Sequence, residues 1–315
     1  MKALVTGGAG FIGSHLIDAL LEKKYEVVCF DNFSTGKIEF IKHNLNKIEL
    51  VKGDLLNRKD ISKALNDCDI VFHLAANPDV RIGAENTKVH FDNNILATYN
   101  LLEEMKSKEI NKIIFTSSST VYGDAEKIPT PEDYAPLLPI SLYGASKLAA
   151  EALISSYCFT FDMEALIYRF ANVVGPRCSH GVIYDFIKKL RRNPKELEIL
   201  GDGSQKKSYL YIDDCISAIF FGIKRVKERI EIFNIGSEDW LEVKEIADIV
   251  SEEMKLKPRY FFTGGIEGRG WKGDVKFMRL SIDKLKSLGW KPKYNSREAV
   301  RLTARWLIDY SKVKI

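Results

Sequence analysis

Residues 5–13 read Val-Thr-Gly-Gly-Ala-Gly-Phe-Ile-Gly, set between an apolar run at 2–6 and an amphipathic stretch at 11–24. No other segment constrains the fold as tightly. Gly8, Gly10 and Gly13 fit G-x-G-x-x-G, while Gly7, Gly10 and Gly13 fit the related G-x-x-G-x-x-G. Where a strand turns into a helix, glycines let the backbone approach a pyrophosphate drawn to the helix N-terminus. Side chains would block that approach. Alone, the motif also describes any tight strand-to-helix turn. Asp31 adds weight because it ends the next apolar run, 26–31. A carboxylate there accepts the ribose hydroxyls of NAD and repels the 2′-phosphate of NADP. NAD is therefore the expected cofactor.

The rhythm of the first half agrees. Residues 2–6, 26–31, 48–52, 69–74, 112–116 and 165–170 read as strands too apolar for a half-exposed sheet. Between them, 11–24, 59–66, 88–108 and 144–161 read as helices. This alternation predicts an α/β fold with a doubly wound parallel sheet, Rossmann-like in form. After residue 172 the elements shorten, with helices expected at 183–192, 213–227, 243–254 and 296–310. A chain of 315 residues exceeds the usual single core, so a second domain is expected. It is read as a smaller, partly interleaved α/β substrate domain of residues 172–205 and 236–315. Residues 1–171 form the cofactor domain, to which 206–235 returns.

Composition excludes several classes of partner. Forty-seven Lys and Arg against forty-three Asp and Glu leave a net charge of +4, too weak a field for nucleic acid as main partner. Cys29, Cys68, Cys158, Cys178 and Cys215 are scattered and odd in number, which fits reduced, buried thiols in a cytoplasmic protein. No apolar run is long enough to span a membrane, no signal peptide is visible at the start, and no metal motif occurs.

Tyr143 and Lys147 stand four residues apart, on one face of a helix. A phenol titrates near ~10, so it acts as a base at neutral pH only when a nearby positive charge favours the phenolate. Upstream, Thr116-Ser117-Ser118-Ser119-Thr120-Val121-Tyr122-Gly123 ends a strand, where α/β sheets bind ligands. Turn chemistry accounts for one or two of those hydroxyls, less readily for the cluster. Asp54 reads either as an adenosine contact or as a helix N-cap. Leu74, Ala75 and Ala76 end the fourth strand, where small residues either let the backbone run beside the expected cofactor or simply pack a strand end.

With these residues in view, the chain resembles the extended short-chain dehydrogenases/reductases, and within them the NAD-dependent nucleotide-sugar epimerases. TGGAGFIG, DNFSTG, HLAA, SSSTVYG, YGASK, RFANVVGP, GDGSQKKSYLYIDD and GWKGDV follow the family's order over nearly the whole chain. The resemblance implies Tyr143 as base and Ser118, three before Val121, as the assisting hydroxyl. Lys147 is implied to hold the nicotinamide ribose and depress the Tyr143 pKa. Cofactor contacts are implied at Gly7, Gly10, Phe11, Ile12, Gly13, Asp31, Asn32, Ser34, Thr35 and Gly36. Further contacts are implied at Asp54, Leu55, Leu74, Ala75, Ala76, Asn93, Ser117 and Ala171. For a UDP-sugar substrate, the implied contacts besides Ser118 and Tyr143 are Arg81, Asn172, Val182, Ile183, Lys207, Tyr209, Arg269, Trp271, Asp274 and Met278.

The chain departs from the family pattern at three positions. Lys207 replaces an Arg, keeping the charge but losing the bidentate fork, and Ser208 replaces an Asp. Trp271 stands where an Arg is usual, and Arg269 either reaches the diphosphate in its place or is a solvated loop charge. Family dehydratases place Asp-Glu before Val-Tyr-Gly and decarboxylases a Glu. Ser119 and Thr120 stand there instead, which favours 4-epimerisation through a transient 4-keto sugar. A non-catalytic NAD-binding regulator is the reading from another class, disfavoured by the retained Ser118, Tyr143 and Lys147. Met278 is either core filler or the gate that admits both plain and N-acetylated hexoses. Leu148, Ala149, Ala152 and Leu153 carry apolar surface beyond one sheet face; the family pairs such helices into a homodimer bundle.

Overall fold

The computed structural model describes residues 1–225 and 228–312. Two compact units emerge, the first Met1–Val121, Ser141–Arg169 and Ile219–Phe233, the second Tyr122–Ile140, Phe170–Ala218 and Asn234–Ile315. Residues 122–140 thus group with the second unit. The segment rejoining the first is Ile219–Phe233, narrower than the 206–235 read from the sequence.

The first unit carries a seven-stranded sheet ordered Ile230–Ile235, Glu164–Phe170, Lys112–Ser118, Ile70–His73, Lys2–Thr6, Glu26–Asp31, Glu49–Lys52. Its registers are parallel, with Ala3 opposite both Val27 and Ile70. Leu4, Val5, Val28, Cys29, Val71 and Phe72 are fully buried, as strands covered by helices on both faces must be. The six strands read from the sequence are all present, and Ile230–Ile235 is a seventh that was not anticipated. From Lys2–Thr6 the chain winds outward one way through two strands, then returns to lay Ile70–His73 on the other side. Neighbouring strands that lead away in opposite directions leave a crevice at their C-terminal ends, where such sheets bind ligands.

Helix Phe11–Glu22 follows the glycine turn and buries Leu16, Ile17 and Leu20, one stripe of an amphipathic helix. The helix expected at 88–108 is continuous but not uniform. Lys88–His90 passes into a π-helical turn, Phe91–Leu96, before Ala97–Ser107. The extra residue is stabilised by Asn93 Nδ2, which donates to the Val89 carbonyl at 2.8 Å, and by the Thr98 hydroxyl on the Asn94 carbonyl at 2.6 Å. Helix Leu142–Thr160 begins two residues earlier than expected, because the Ser141 hydroxyl caps it by accepting from the Gly144 N–H.

In the second unit, Asn172–Val174 pairs in parallel with Tyr209–Tyr211, and Lys206–Lys207 lies between Leu241–Glu242 and Phe277–Met278. Helices Val182–Arg192, Val243–Glu253 and Ser296–Lys312 enclose a core of Phe186, Leu190, Ile246, Val250, Val300 and Leu307. The short strands of this unit, among them the parallel pair Glu196–Ile199 and Arg259–Phe262, went unread; ladders of two to four residues leave little periodic signal. The helix expected at 213–227 spans Ile212–Ile223, and its last two expected residues, Val226 and Lys227, lie outside the described residues.

Candidate active site

In the first unit, the crevice is built by contacts that tolerate no side chain. Gly7 has φ +67°, and a Cβ there would lie 2.9 Å from the Ala75 backbone at the end of Ile70–His73. A Cβ on Gly13 would meet the Gly7 carbonyl at 2.2 Å. Gly10 is different: its Cβ would touch only that carbonyl, at 3.1 Å, and otherwise point into open space. Gly10 is also the N-cap of Phe11–Glu22, and no side chain caps the helix there. This opening at a positive helix end fits the pyrophosphate of NAD.

Asp31 is buried, and its carboxylate accepts the Ala9 N–H at 2.9 Å and the Phe33 N–H at 2.8 Å. Burial raises its pKa, and those two N–H groups oppose the shift. Gly36 folds back so closely that a Cβ would stand 2.8 Å from both Asp31 oxygens. Asn32 donates to Asp54 at 3.2 Å and accepts the Ser34 N–H, while Ser34 and Thr35 are exposed. The N-cap reading of Asp54 is corrected: Asn57 caps helix Arg58–Ala64, accepting from the Lys59 N–H. Leu55 sends its side chain into the core, leaving its backbone beside Asp54.

Two residues missed in the sequence organise this edge. The Thr6 hydroxyl accepts the Leu74 and Ala75 N–H groups and pairs with His73 Nδ1 at 2.8 Å; His73 Nε2 meets the Thr98 hydroxyl at 3.0 Å. Burial holds His73 neutral, its pKa down to about 3. Asn93 turns to its own helix, whereas the neighbouring Asn94 is buried, accepts the Asn77 N–H and donates to Ser146 at 2.8 Å. The π-turn, invisible to 3.6-residue periodicity, sets which asparagine faces inward.

Ser118 meets Tyr143, and Lys147 lies one helical turn further along. Ser118 hydrogen-bonds the Tyr143 phenol and accepts from both the Thr120 N–H and the Thr120 hydroxyl. The Ser117 hydroxyl instead donates to Glu151, so adjacent serines point to different partners. Lys147 donates to the Thr116 carbonyl at 2.9 Å, its Nζ 6.0 Å from the Tyr143 ring centre. Burial pushes the Tyr143 pKa up to about 12, with the Ser118 hydrogen bond opposing. In the cofactor-free chain the Lys147 ammonium is turned to the Thr116 carbonyl. His90 packs edge-on to Tyr143, ring centres 5.6 Å apart. Arg81 is exposed on this unit beside Asp79.

The second unit gathers most of the expected substrate residues. Asp274 is buried; its Oδ1 takes Lys207 Nζ at 2.6 Å, its Oδ2 the Gly270 N–H at 3.1 Å. Lys207 also lies 5.4 Å over the Trp271 ring. Met278 is the register partner of Lys207 and is buried. Tyr209 is buried opposite Asn172, whose Nδ2 donates to the Ser208 carbonyl at 3.2 Å. Burial raises the Tyr209 pKa, and Asp274 adds to the shift. Arg269 is no solvated charge: Asp124 pairs with it at 3.0 Å and the Asp274 carbonyl accepts from it at 2.6 Å. Asp124 was not read from the sequence, lying 145 residues from its partner. Val182 and Ile183 open helix Val182–Arg192; Ile183 is core. Ala171 is buried and donates its N–H to the Ile235 carbonyl at 2.8 Å.

A doubly wound sheet with a glycine cradle, an acid at the second strand and a Tyr-Lys-Ser group define an NAD-binding α/β protein of the short-chain dehydrogenase/reductase type. Residues 3–236 match the model of the NAD dependent epimerase/dehydratase family, and the chain belongs to that family. Over 312 residues it is 37% identical to a putative UDP-glucose 4-epimerase of Methanocaldococcus jannaschii, covering 96% of this chain and 97% of that protein. A crystal structure of a UDP-galactose 4-epimerase superposes with TM-score 0.89 at 44% identity, covering 98% and 99% of the two chains. UDP-glucuronic acid 4-epimerase from Bacillus cereus, solved with UDP-glucuronic acid and NAD, gives 0.88 at 33%, covering 98% and 100%. NAD is the cofactor.

Proposed function

We propose that this protein interconverts UDP-glucose and UDP-galactose by 4-epimerisation, and turns over UDP-GlcNAc and UDP-GalNAc as well. The observation that carries the reading is the Tyr143–Ser118 pair with Lys147 beside it and no carboxylate directly before Val121. NAD held at the glycine turn and Asp31 would supply a reversible hydride acceptor for C4 of the sugar. Tyr143 accepts the proton of the sugar 4-OH, and Ser118, oriented by Thr120, donates to the same oxygen. Lys147 holds the nicotinamide ribose and supplies the positive charge that makes a buried phenolate attainable. Gly7, Gly10 and Gly13 admit the pyrophosphate, and Asp31 accepts the adenosine ribose.

The first unit is the NAD domain in this reading and the second binds the UDP-sugar. Lys207, braced between Asp274 and Trp271, is the cation for the diphosphate. Arg269, claimed by Asp124, frames the site rather than gripping phosphate. Tyr209 and Asn172 lie along the nucleotide. The protein acts in the cytoplasm as a homodimer: Phe91, Tyr99, Leu142 and Phe159 are exposed on the first unit's helices, beside half-buried Leu148, Ala149 and Leu153 and exposed Ala152. Among the described residues no helix is long and apolar enough to cross a membrane.

The test is steady-state epimerisation of all four sugars, with Met278→Tyr alongside. The wild type should turn over both pairs, and Met278→Tyr should lose the N-acetylated pair selectively, since a stiff ring fills space that Met vacates. A wild type inactive on the N-acetylated pair, or an unchanged ratio in the variant, contradicts the gate.

A further inference from the structure

Helix Leu142–Thr160 presents a third titratable residue on the stripe that carries Tyr143 and Lys147. Glu151 lies one turn beyond Lys147 and is 5% exposed; Lys147 is 3% exposed. The Glu151 carboxylate is fully engaged from two adjacent strands. Arg169, 4% exposed, donates from Nε to Oε1 at 3.1 Å and from Nη2 to Oε2 at 2.7 Å, and the Ser117 hydroxyl donates to Oε1. None of the groups in the proposed mechanism needs this pair for chemistry. A buried ion pair with no chemical duty is costly to desolvate, and an apolar pair of the same volume would serve packing as well or better.

The surroundings of Lys147 supply the reason. On its own helix it faces Tyr143 and Glu151. Strand Lys112–Ser118 offers the Thr116 carbonyl and the Phe115 ring, 4.9 Å from Nζ. Burial holds His73 of Ile70–His73 and His90 of Lys88–His90 towards their neutral forms, and the Lys147 charge adds to both shifts while Asp79 opposes that of His90. Glu151 is the anion in this set, and Arg169 stands behind it.

We propose that Glu151, clamped by Arg169 and Ser117, is the positioning residue that keeps Lys147 an ammonium ion against the Thr116 carbonyl, acting on the site without touching substrate or cofactor. Burial drives Lys147 towards the neutral amine, its pKa down to about 8 even with Glu151 beside it as the group that opposes the shift. The clamp matters because a free carboxylate would rotate to ion-pair with Lys147 directly and draw Nζ away from the ribose it is read to hold. The proposal rests on that reading of Lys147.

The test is the pH profile of NAD affinity, measured by calorimetry on cofactor-free protein, for wild type, Glu151→Gln and Glu151→Asp. In Glu151→Gln the alkaline fall in affinity should move down by at least about one pH unit, a tenfold weaker binding on that limb. At pH 6 the two should agree within about twofold, both lysines being charged there. Glu151→Asp keeps the charge and should follow the wild-type profile. Glu151→Gln/Arg169→Met, an uncharged pair of similar volume, should shift the limb in the same direction by less, and it carries the test if the single variant does not fold. A Glu151→Gln profile parallel to wild type, an aspartate variant that behaves like the glutamine one, or a wild-type limb in the double variant overturns the proposal. The readout contains no sugar, so a failure of the epimerase reading leaves it intact, and its own failure leaves epimerisation standing.

Discussion

Gly10→Ala separates cofactor binding from folding. Gly10 has φ −77° and ψ 179°, extended backbone that alanine adopts freely. The added methyl meets only the Gly7 carbonyl, at 3.1 Å, so a shift of a few tenths of an ångström accommodates it. Stiffening the unfolded chain contributes about 0.4–1 kcal/mol in the other direction. Folding stability should therefore stay within about 1 kcal/mol of wild type. The methyl nevertheless stands where the pyrophosphate must approach the uncapped end of Phe11–Glu22. Losing one or two charge-assisted hydrogen bonds at about 1.5–3 kcal/mol each weakens NAD by about tenfold to ten-thousandfold. Gly13→Ala is the contrast, because its Cβ would lie 2.2 Å from a backbone oxygen and 2.9 Å from Gly8 Cα. It should lose about 1–3 kcal/mol of stability or more. Urea unfolding of the cofactor-free protein gives the stabilities, and calorimetric titration gives the affinities. A Gly10→Ala protein that binds NAD like wild type would refute the cradle, as would one that unfolds as easily as Gly13→Ala.

Asp31→Asn should cost at least about tenfold in NAD affinity, since the amide presents a donor to one of two N–H groups. The preference for NAD over NADP should narrow, and calorimetry with both cofactors reads it. Without cofactor the Tyr143 phenol, burial having raised its pKa to about 12, stays protonated up to about pH 10. Phenolate absorbance of wild type minus Tyr143→Phe should show that, and NAD should bring the transition down; an ionisation near neutral pH without NAD contradicts it. Lys207→Ala should raise the KM for the UDP-sugar by about tenfold or more, a charge-assisted contact being worth about 1.5–3 kcal/mol. Arg269→Ala should cost mainly stability, and equal KM effects would return Arg269 to the phosphate. Light scattering should give twice the 35.8 kDa chain mass, and a monomer would remove the dimer.

The sheet was legible because parallel strands buried on both faces are continuous apolar runs, and the glycine turn marks where the first one ends. Tyr143, Lys147 and Ser118 were legible because helix spacing and strand-end position are local properties. What escaped was non-local. His73 reads as part of a strand, and only pairing shows it tying Thr6 to Thr98. Asn94 overtakes Asn93 as the inward residue because a π-turn shifts the helix face by one position. Asp124 neutralises Arg269 across the intervening sequence, and Glu151 looks like an ordinary surface residue until Arg169 and Ser117 close over it. Charges that pair across elements leave no trace in periodicity.

The proposed 4-epimerisation requires the hydride leaving C4 of the sugar to return to that same carbon. Incubating the NAD-loaded protein with UDP-glucose deuterated at C4, in ordinary water and without added reductant, tests this directly. The expected product is UDP-galactose that keeps the deuterium at C4, forming over many turnovers. Product that has lost the label to solvent, or no UDP-galactose at all, would contradict it.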